Sequence, residues 1–263
     1  NNRMIIPHGD DYLLPNDNAF FVGASGEIEK FSKHFVGTGI KAPERVMIIG
    51  AGRTGRTLAS MLDKQGVQVK VIEKDAERSR MVAERIEEGI VVRGDGTDID
   101  LLTQEGVGEA DVVICLTADD KLNLMLALLA KHLGASRTIV RVARIEYVEL
   151  MEKVGVDIVL SSRLLAAGEI LAFARRGGVV SVALLEGAKA EAMEVIVQKG
   201  SYVENKKLMD LQLPKECLIC AFVRDDEAFV PTGQSSLQAG DRAILFIRME
   251  FANKVMKYFA GKA

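Results

Sequence analysis

The chain has few of the side chains that most often carry catalysis or bind metals. Its 263 residues include three histidines, three cysteines and no tryptophan. His8, His34 and His132 are scattered, and no metal-ligand spacing links them to the cysteines. The sequence therefore predicts no metal site.

Long apolar runs and blocks of positive charge are missing as well. The longest apolar stretch, residues 122–130, contains Asn123 and is far shorter than the roughly 20 residues that a membrane-spanning helix needs. The formal net charge is −3, and lysine and arginine form no run. We therefore expect a cytoplasmic protein without a secretory leader, with no direct membrane insertion and no nucleic-acid partner.

Cys217 and Cys220 have the spacing of a dithiol redox motif. The residues between and after them are apolar and predict a buried strand, on which residues three apart face opposite sides. We therefore interpret both cysteines as structural, and the low cysteine count favours a reducing compartment.

The two ends of the chain resemble each other when the sequence is shifted by 224 residues. The segments suggest a strand, a Pro/Gly turn, an Asp turn, a second strand and a helix. A chance match of two hairpins is the alternative. We predict that residues 1–40 are the C-terminal part of an earlier, small domain. The matched pairs are Ile6-Pro7-His8-Gly9 with Val230-Pro231-Thr232-Gly233, Leu13 with Leu237, Asp17 with Asp241, Ala19 with Ala243, Phe20-Phe21-Val22 with Ile244-Leu245-Phe246, Lys33 with Lys257 and Phe35 with Phe259.

The middle of the chain alternates apolar strands with helices. This alternation predicts an α/β fold with a Rossmann-like, doubly wound parallel sheet. The predicted strands are residues 46–49, 67–73, 90–92, 111–116, 138–142 and 156–160, and the predicted helices include 76–88 and 121–133.

Gly50, Gly52 and Gly55 form a G-x-G-x-x-G pattern at the first strand-to-helix junction. Such glycines permit a tight turn, a close approach of backbone N–H groups to phosphates, and close packing of the helix. The helix N-terminus adds partial positive charge. Glu73, 23 residues after Gly50, is predicted to accept hydrogen bonds from both ribose hydroxyls and to repel a 2′-phosphate. A glycine-rich turn without a ligand is the alternative.

Further polar residues follow the later strands, where ligands of open α/β sheets bind. Other roles remain open: Asp95 and Asp98 could be turn and N-cap residues. Arg141 could form a surface ion pair, and Arg53 could be an exposed first residue of its helix. The predicted nucleotide-binding residues are Gly50, Gly52, Arg53, Thr54, Gly55, Glu73, Lys74, Asp95, Gly96, Thr97, Thr117, Asp119 and Arg141.

Together these motifs resemble the RCK family, the regulators of potassium conductance, and in particular its Trk-type potassium-uptake regulatory subunits. The Gly94-Asp95-Gly96-Thr97-Asp98 turn is the most specific part of the match, although Gly96 stands where the family often has a small side chain such as alanine. The resemblance implies a tandem protein. Residues 1–40 would end a first RCK copy, 41–176 would form the Rossmann-type domain, and 177–263 a small α+β C-terminal RCK subdomain.

The resemblance also implies ligands, partners and a location. RCK proteins bind NAD(H), with ATP and ADP as alternatives, and assemble as homo-oligomers beneath a potassium-conducting membrane subunit. The expected location is therefore cytoplasmic and peripheral on the inner face of the cell membrane. By the residue match, the ligand positions are Gly50, Gly52, Gly55, Glu73, Asp95 and Asp119. An apolar helix at 164–173 would dock onto a partner RCK unit; a core helix is the alternative.

An NAD-dependent oxidoreductase is one competing function, and a nucleotide-binding module that regulates another transporter is a second. A dehydrogenase needs an acid/base group beside the nicotinamide. No histidine follows His132, which falls on a helix flank away from the strand ends. Tyr202 and Tyr258 remain open as bases, but nothing in the sequence places them at the site. We therefore predict a regulatory subunit without catalytic residues.

Overall fold

The computed structural model describes residues 5–7, 10–15, 17, 19–23, 26–28, 30–31, 42–175, 178–185 and 189–261. These residues form two compact units. One is Lys41–Arg163, and the other combines Leu164–Ala263 with Asn1–Ile40. The predicted domain limits at 40/41 and 176/177 stay predictions. Within the described ranges, no helix is long and apolar enough to cross a membrane.

The first unit contains a six-stranded parallel sheet, which confirms the predicted fold class. The strands are β1 (Arg45–Ile49), β2 (Gln68–Glu73), β3 (Ile90–Arg93), β4 (Val112–Cys115), β5 (Thr138–Val142) and β6 (Ile158–Ser161). Their order in the sheet is β3-β2-β1-β4-β5-β6. The order reverses between β1 and β4, which is where doubly wound sheets open a ligand crevice. The helices are α1 (Arg53–Lys64), α2 (Ala76–Ala83), α3 (Ile99–Gln104), α4 (Asp120–His132) and α5 (Tyr147–Val154).

Strand β1 lies between two apolar clusters, one on each face of the sheet. Val46 and Ile48 are buried in one cluster, whereas Met47 and Ile49 are buried in the other. Successive side chains of a strand point to opposite faces, so the part of a strand that is covered on both sides is apolar. The apolar run at residues 46–49 of β1 is therefore a consequence of its central place, and only Arg45 at its start is exposed.

Helix α2 is shorter than the sequence pattern indicates. We predicted residues 76–88, but the helix ends at Ala83. The buried carboxylate of Asp63 accepts hydrogen bonds from the N–H groups of Glu87 at 2.7 Å, Glu88 at 3.2 Å and Gly89 at 2.8 Å. Because these groups bind Asp63, they cannot continue the hydrogen-bond ladder of a helix.

The second unit contains a five-stranded antiparallel sheet, as expected for a smaller α+β subdomain. The elements after β6 are α6 (Ser162–Ala174), β7 (Val179–Leu185), β8 (Ala190–Ile196), β9 (Cys217–Arg224), β10 (Glu227–Phe229), β11 (Arg242–Arg248) and α7 (Ala252–Phe259). The strand order of this sheet is β10-β9-β11-β8-β7. Helix α7 packs Val255 and Phe259 into an apolar cluster that includes Leu245 of β11.

Cys217 and Cys220 both lie on β9, which confirms the predicted strand. Both are free thiols and are partly buried. Burial raises the pKa of Cys217 to about 12 and that of Cys220 to about 11. A thiol is nucleophilic as the thiolate, so neither cysteine is activated at neutral pH.

A buried ion pair fixes the turn before β11. Arg224 donates from Nε to Asp241 Oδ1 at 2.8 Å and from Nη2 to Oδ2 at 2.6 Å. Burial raises the pKa of Asp241, but hydrogen bonds from Arg224 and Gln238 outweigh it, so the pKa lies below its ordinary value. The Asp241 side chain is only 3% exposed, so losing its partner would leave an uncompensated charge.

The turn at Asp241 recurs at the start of the chain. Asp17 Oδ2 accepts from the Leu14 N–H at 2.8 Å, and the Asp17 N–H donates to the Leu14 carbonyl at 3.1 Å. In the second turn, Asp241 Oδ2 accepts from the Gln238 N–H at 2.7 Å, and the Asp241 N–H donates to the Gln238 carbonyl at 3.1 Å. The two segments thus share a local turn geometry, and the assignment of residues 1–40 to an earlier copy of the small domain stays a prediction. The matched positions His8, Gly9, Lys33 and Phe35 lie outside the described residues.

Candidate functional site

A cleft of about 790 Å³ opens at the carboxyl ends of the parallel strands. Its size falls within the range of about 300–1,000 Å³ that is typical of ligand pockets. Twelve of the thirteen predicted site residues line it. They are Gly50, Gly52, Arg53, Thr54, Glu73, Lys74, Asp95, Gly96, Thr97, Thr117, Asp119 and Arg141. Gly55, the thirteenth, packs behind the loop.

The three glycines of the loop meet different constraints. Gly50 has φ +104°, and a Cβ there would lie 3.0 Å from the backbone of Leu116 and Thr117. A Cβ on Gly55 would lie 2.0 Å from the Gly50 carbonyl oxygen. A Cβ on Gly52 would meet nothing within 4 Å. The structure therefore requires glycine at positions 50 and 55 for folding, whereas the space beside Gly52 is open to a ligand.

The N-terminus of α1 lacks the capping side chain that its neighbours have. Asp75, Asp98 and Asp119 cap α2, α3 and α4, each accepting hydrogen bonds from backbone N–H groups of the first turn. Gly52, the N-cap of α1, has no side chain with which to do so. The first turn of α1 therefore offers N–H groups and the positive end of the helix dipole to an anion. Asp98 is therefore an N-cap residue, which is one of the roles that the sequence left open for it.

Glu73 is almost completely buried, with 6% exposure. Its Oε2 accepts a hydrogen bond from the Ala51 N–H at 2.6 Å, and its Oε1 accepts from the Asp75 N–H at 2.9 Å. The side chain thus joins the glycine loop to the start of α2, a role that the sequence did not predict. Each carboxylate oxygen can accept a second hydrogen bond, so the predicted ribose contact is compatible with this arrangement.

Asp95 forms a tight turn at the end of β3. Its Oδ1 accepts from both the N–H and the hydroxyl of Thr97 at 2.9 Å. These hydrogen bonds, with a smaller effect of the Lys74 charge, hold the pKa of Asp95 below its ordinary value. Asp95 is therefore a turn residue that also lines the cleft. At Gly96 an added Cβ would lie 2.5 Å from Ile49 Cγ2, so an alanine there requires Ile49 to shift.

The opposite wall follows β4 and β5. Asp119 Oδ1 accepts from the N–H groups of Lys121 at 2.8 Å and Leu122 at 3.1 Å, and these bonds lower its pKa. Arg141 donates from Nη1 to the Thr117 carbonyl at 3.3 Å. Asn123, which the sequence analysis did not select, is fully buried behind these residues. The sequence does show Asn123 as a polar residue within the apolar stretch at 122–130, and this pattern could have indicated a buried side chain with hydrogen-bond partners.

Two arginines of the cleft were not among the predicted site residues. Arg56 on α1 and Arg78 on α2 both line it. Five cationic side chains thus face three carboxylates, each of which already accepts backbone N–H groups. The balance favours an anionic ligand.

The described residues of the lining include no histidine or tyrosine, and its carboxylates Glu73, Asp95 and Asp119 each accept hydrogen bonds from backbone N–H groups. His132 is the last residue of α4, whose other end meets the cleft, about 18 Å away along the helix axis. Among the residues that the structure describes, no group of three or more His, Cys, Asp or Glu side chains could hold a metal ion.

Comparison with known proteins gives two family matches. Residues 46–162 match the TrkA-N domain, and residues 192–260 match the TrkA-C domain. In structure, the chain is similar to the crystal structure of the GsuK RCK domain, with a TM-score of 0.53 and 19% identity over 85% of this chain and 49% of that one. This likeness concerns the fold.

Proteins of similar sequence are named for potassium uptake. The chain is 37% identical over 98% of its length to Trk system potassium uptake protein TrkA homolog 2 of Methanosarcina mazei, and spans 58% of that protein. It is 35% identical to a TrkA homolog of Archaeoglobus fulgidus over 98% of its length, and again spans 58% of the relative. It is 32% identical to TrkA of Halomonas elongata over 94% of its length, spanning 54% of it.

The fold, the glycine loop and both domain matches agree with the resemblance drawn from the sequence. The chain therefore belongs to the TrkA family, with a TrkA-N domain followed by a TrkA-C domain.

Proposed function

We propose that the chain is part of a regulatory subunit that binds NAD(H) or an adenine nucleotide and thereby controls a potassium-uptake membrane protein. The observation that carries this proposal is the uncapped N-terminus of α1, which meets a cleft lined by the glycine loop and Glu73. The names of the relatives support potassium uptake as the regulated process. The proposed location is cytoplasmic, peripheral on the inner face of the cell membrane.

The residues of the cleft fit a dinucleotide in two halves. Rossmann-type sheets bind one mononucleotide on each side of the point where the strand order reverses. Glu73, Lys74 and the turn at Asp95 would hold the adenosine, and the first turn of α1 with Arg53 would hold the phosphates. Thr117, Asp119 and Arg141 would hold the second nucleoside. NAD(H) contributes its phosphate charge and its hydrogen-bonding groups here, and the residues of this chain bind and orient it.

Regulation requires that the nucleotide bind two arrangements of the assembly with different affinity. A coupling of about 1–3 kcal/mol would change the ratio of the open and closed states by roughly 5- to 150-fold. Helix α6 offers a contact surface for a second RCK unit, because Leu165, Ile170 and Phe173 are 62%, 65% and 72% exposed. Ser162, the first residue of α6, lines the cleft and would connect its occupancy to that surface.

Calorimetric titration with NAD, NADH, ATP, ADP and NADPH tests the ligand class. We expect NAD(H) or an adenine nucleotide to bind the wild-type chain, and Gly52→Asp to abolish binding, because it places a carboxylate where phosphates would approach. Ser136→Asp, which adds the same charge at an exposed position outside the cleft lining, is the matched control. Failure of every nucleotide to bind, or equal binding by Gly52→Asp, would contradict the proposal.

The competing oxidoreductase function is tested in the same preparation. Incubation with nicotinamide cofactors and a panel of hydroxy acids and aldehydes, followed by absorbance at the reduced-nicotinamide band, should show no substrate-dependent change. Turnover of any substrate would contradict the proposal that the chain is part of a regulatory subunit. The second competing function is a nucleotide-binding module that regulates another transporter. Co-purification of the protein with a transporter that does not carry potassium would favour that function.

A further inference from the structure

Asn123 on α4 makes all the hydrogen bonds that its carboxamide can form. Its Oδ1 accepts from the Thr117 N–H at 2.9 Å and from the Thr117 hydroxyl at 2.6 Å. Its Nδ2 donates to the carbonyl oxygens of Thr117 at 3.1 Å and Arg141 at 3.0 Å. The side chain is 0% exposed. An amide has two donor hydrogens and two acceptor lone pairs, so Asn123 is completely satisfied.

The bonding pattern explains why asparagine stands at this position. Aspartate of the same shape would lack both donors, and serine or threonine would be too short to join two strand ends. Through Asn123, the carboxyl ends of β4 and β5 are held at a fixed separation. Asp120 adds to the same junction, because its carboxylate accepts from the N–H groups of Ala143 and Arg144 at 2.9–3.0 Å. This half of the cleft is thus held by α4.

Asn123 also determines which groups Thr117 presents to a ligand. A hydroxyl has one proton, and the 2.6 Å contact with Asn123 Oδ1 is far shorter than the 3.3 Å contact with the Asp119 carbonyl. The proton therefore points toward Asn123. One lone pair of Thr117 Oγ1 accepts from the Asp119 N–H at 3.3 Å, and the other is left for a hydrogen-bond donor in the cleft. The neighbouring Asp119 carboxylate is an acceptor too, and its lowered pKa keeps it ionised at neutral pH.

Two acceptors beside each other favour a ligand that donates hydrogen bonds, such as a ribose or a carboxamide. A further phosphate group would instead meet the carboxylate of Asp119, which offsets the one cationic side chain of the lining on this side, Arg141. The β1–β3 side of the cleft has two carboxylates, Glu73 and Asp95, but it adds the uncapped N-terminus of α1 and four cationic side chains. These are Arg53, Arg56, Lys74 and Arg78. The two halves of the cleft therefore differ in the chemistry that they accept.

We propose that Asn123 is a positioning residue that shapes the β4–β5 half of the cleft for the second nucleoside of a dinucleotide. In this role Asn123 sets the preference for NAD over ADP. The proposal rests on the proposed function, because it concerns the same cleft. ADP has the adenosine and both phosphates but lacks the second nucleoside, so it probes the first half of the cleft alone.

The test is the ratio of the dissociation constants of NAD and ADP, measured by calorimetry. Wild type should bind NAD at least about tenfold more tightly than ADP, the effect of one to two added hydrogen bonds. Asn123→Asp keeps the acceptors but removes both donors, and Thr117→Val removes the hydroxyl that faces the cleft. Each should weaken NAD binding by about tenfold and leave ADP binding within about twofold of wild type.

Thr103→Val is the matched control, since it removes an exposed hydroxyl of α3 that bonds its own helix at 2.8 Å and lies outside the lining. It should leave both constants unchanged. Should Asn123→Asp fail to fold, Thr117→Val decides the question. Equal weakening of NAD and ADP, or an unchanged ratio, would overturn the proposal while leaving the proposed function intact. Absence of ADP and NAD binding in the wild type would overturn both.

Discussion

Alanine at Gly52 and alanine at Gly55 should have opposite consequences, although the two residues belong to one loop. Gly52 has φ −60° and ψ −174°, which alanine adopts without strain, and its added Cβ would meet nothing within 4 Å. At Gly55 the added Cβ would lie 2.0 Å from the Gly50 carbonyl oxygen, a backbone atom that cannot rotate away. The first change therefore leaves the fold intact, whereas the second displaces α1 from β1.

The size of each effect follows from these contacts. Gly52→Ala should change the free energy of unfolding by less than about 1 kcal/mol, the usual range for glycine replacement at a compatible conformation. Gly55→Ala should lower it by about 1–3 kcal/mol, as overpacking does. In Gly52→Ala the new methyl group occupies the space through which phosphates would reach the N–H groups of α1. We expect at least tenfold weaker NAD binding, which corresponds to about 1.4 kcal/mol.

Thermal or urea unfolding with and without NAD measures both effects together. At a NAD concentration of about 100 times the wild-type Kd, bound ligand stabilises the wild type by about 2.7 kcal/mol, and a tenfold weaker Kd reduces this to about 1.4 kcal/mol. Gly52→Ala should therefore match the wild type without NAD and fall below it with NAD. Equal stabilisation of both proteins by NAD would refute the assignment of this space to phosphates. A large loss of stability without NAD would refute the steric argument.

Three further changes test other parts of the account. Glu73→Ala should weaken NAD binding by about 1–3 kcal/mol, the scale of lost hydrogen bonds to a charged group, and the wild type should bind NADPH less tightly than NAD; unchanged affinity in calorimetry would move the ribose site elsewhere. Asp241→Asn should lower the free energy of unfolding at pH 7 by about 1–3 kcal/mol, because Arg224, which is 29% exposed, loses its hydrogen bonds to a charged group. Since the folded pKa of Asp241 is lowered, this contribution is complete above a pH of about 4 and is lost as the pH falls through the folded pKa; an equal wild-type–variant difference in urea unfolding at pH 7 and pH 2.5 would contradict it. Replacing Ile170 and Phe173 by aspartate should reduce the oligomer seen by light scattering, and a wild-type monomer at high micromolar concentration would exclude the docking surface.

The parts of the fold that depend on local pattern were predictable. The apolar run that ends at Gly50 and the acid 23 residues later identify a strand, a turn and a ligand cleft from spacing alone. The capping role of Asp98 was also predictable, because an aspartate directly before a helix accepts hydrogen bonds from the N–H groups of the first turn. The repeated turns at Asp17 and Asp241 show that an ungapped match of two short segments can reveal a shared local geometry.

The parts that depend on long-range hydrogen bonds were not predictable. Asp63, a residue of another helix, binds the N–H groups of residues 87–89 and so keeps α2 from extending to Glu88, and the local sequence at 84–88 gives no sign of it. The bonds of Glu73 to Ala51 and Asp75, and those of Asn123 to Arg141, join elements that only the folded sheet brings together. Sequence periodicity indicates which residues are buried but not which polar partners they meet.

Potassium flux tests the central claim most directly. Liposomes that contain the potassium-conducting membrane subunit would be combined with the full-length regulatory protein, as wild type or as Gly52→Asp, with and without NAD(H) or ATP. We predict that nucleotide changes the flux with wild-type protein, and that Gly52→Asp binds the membrane subunit but gives no nucleotide response. Equal nucleotide responses with the two proteins would contradict the account, because the cleft at Gly52 could not then be the regulatory site.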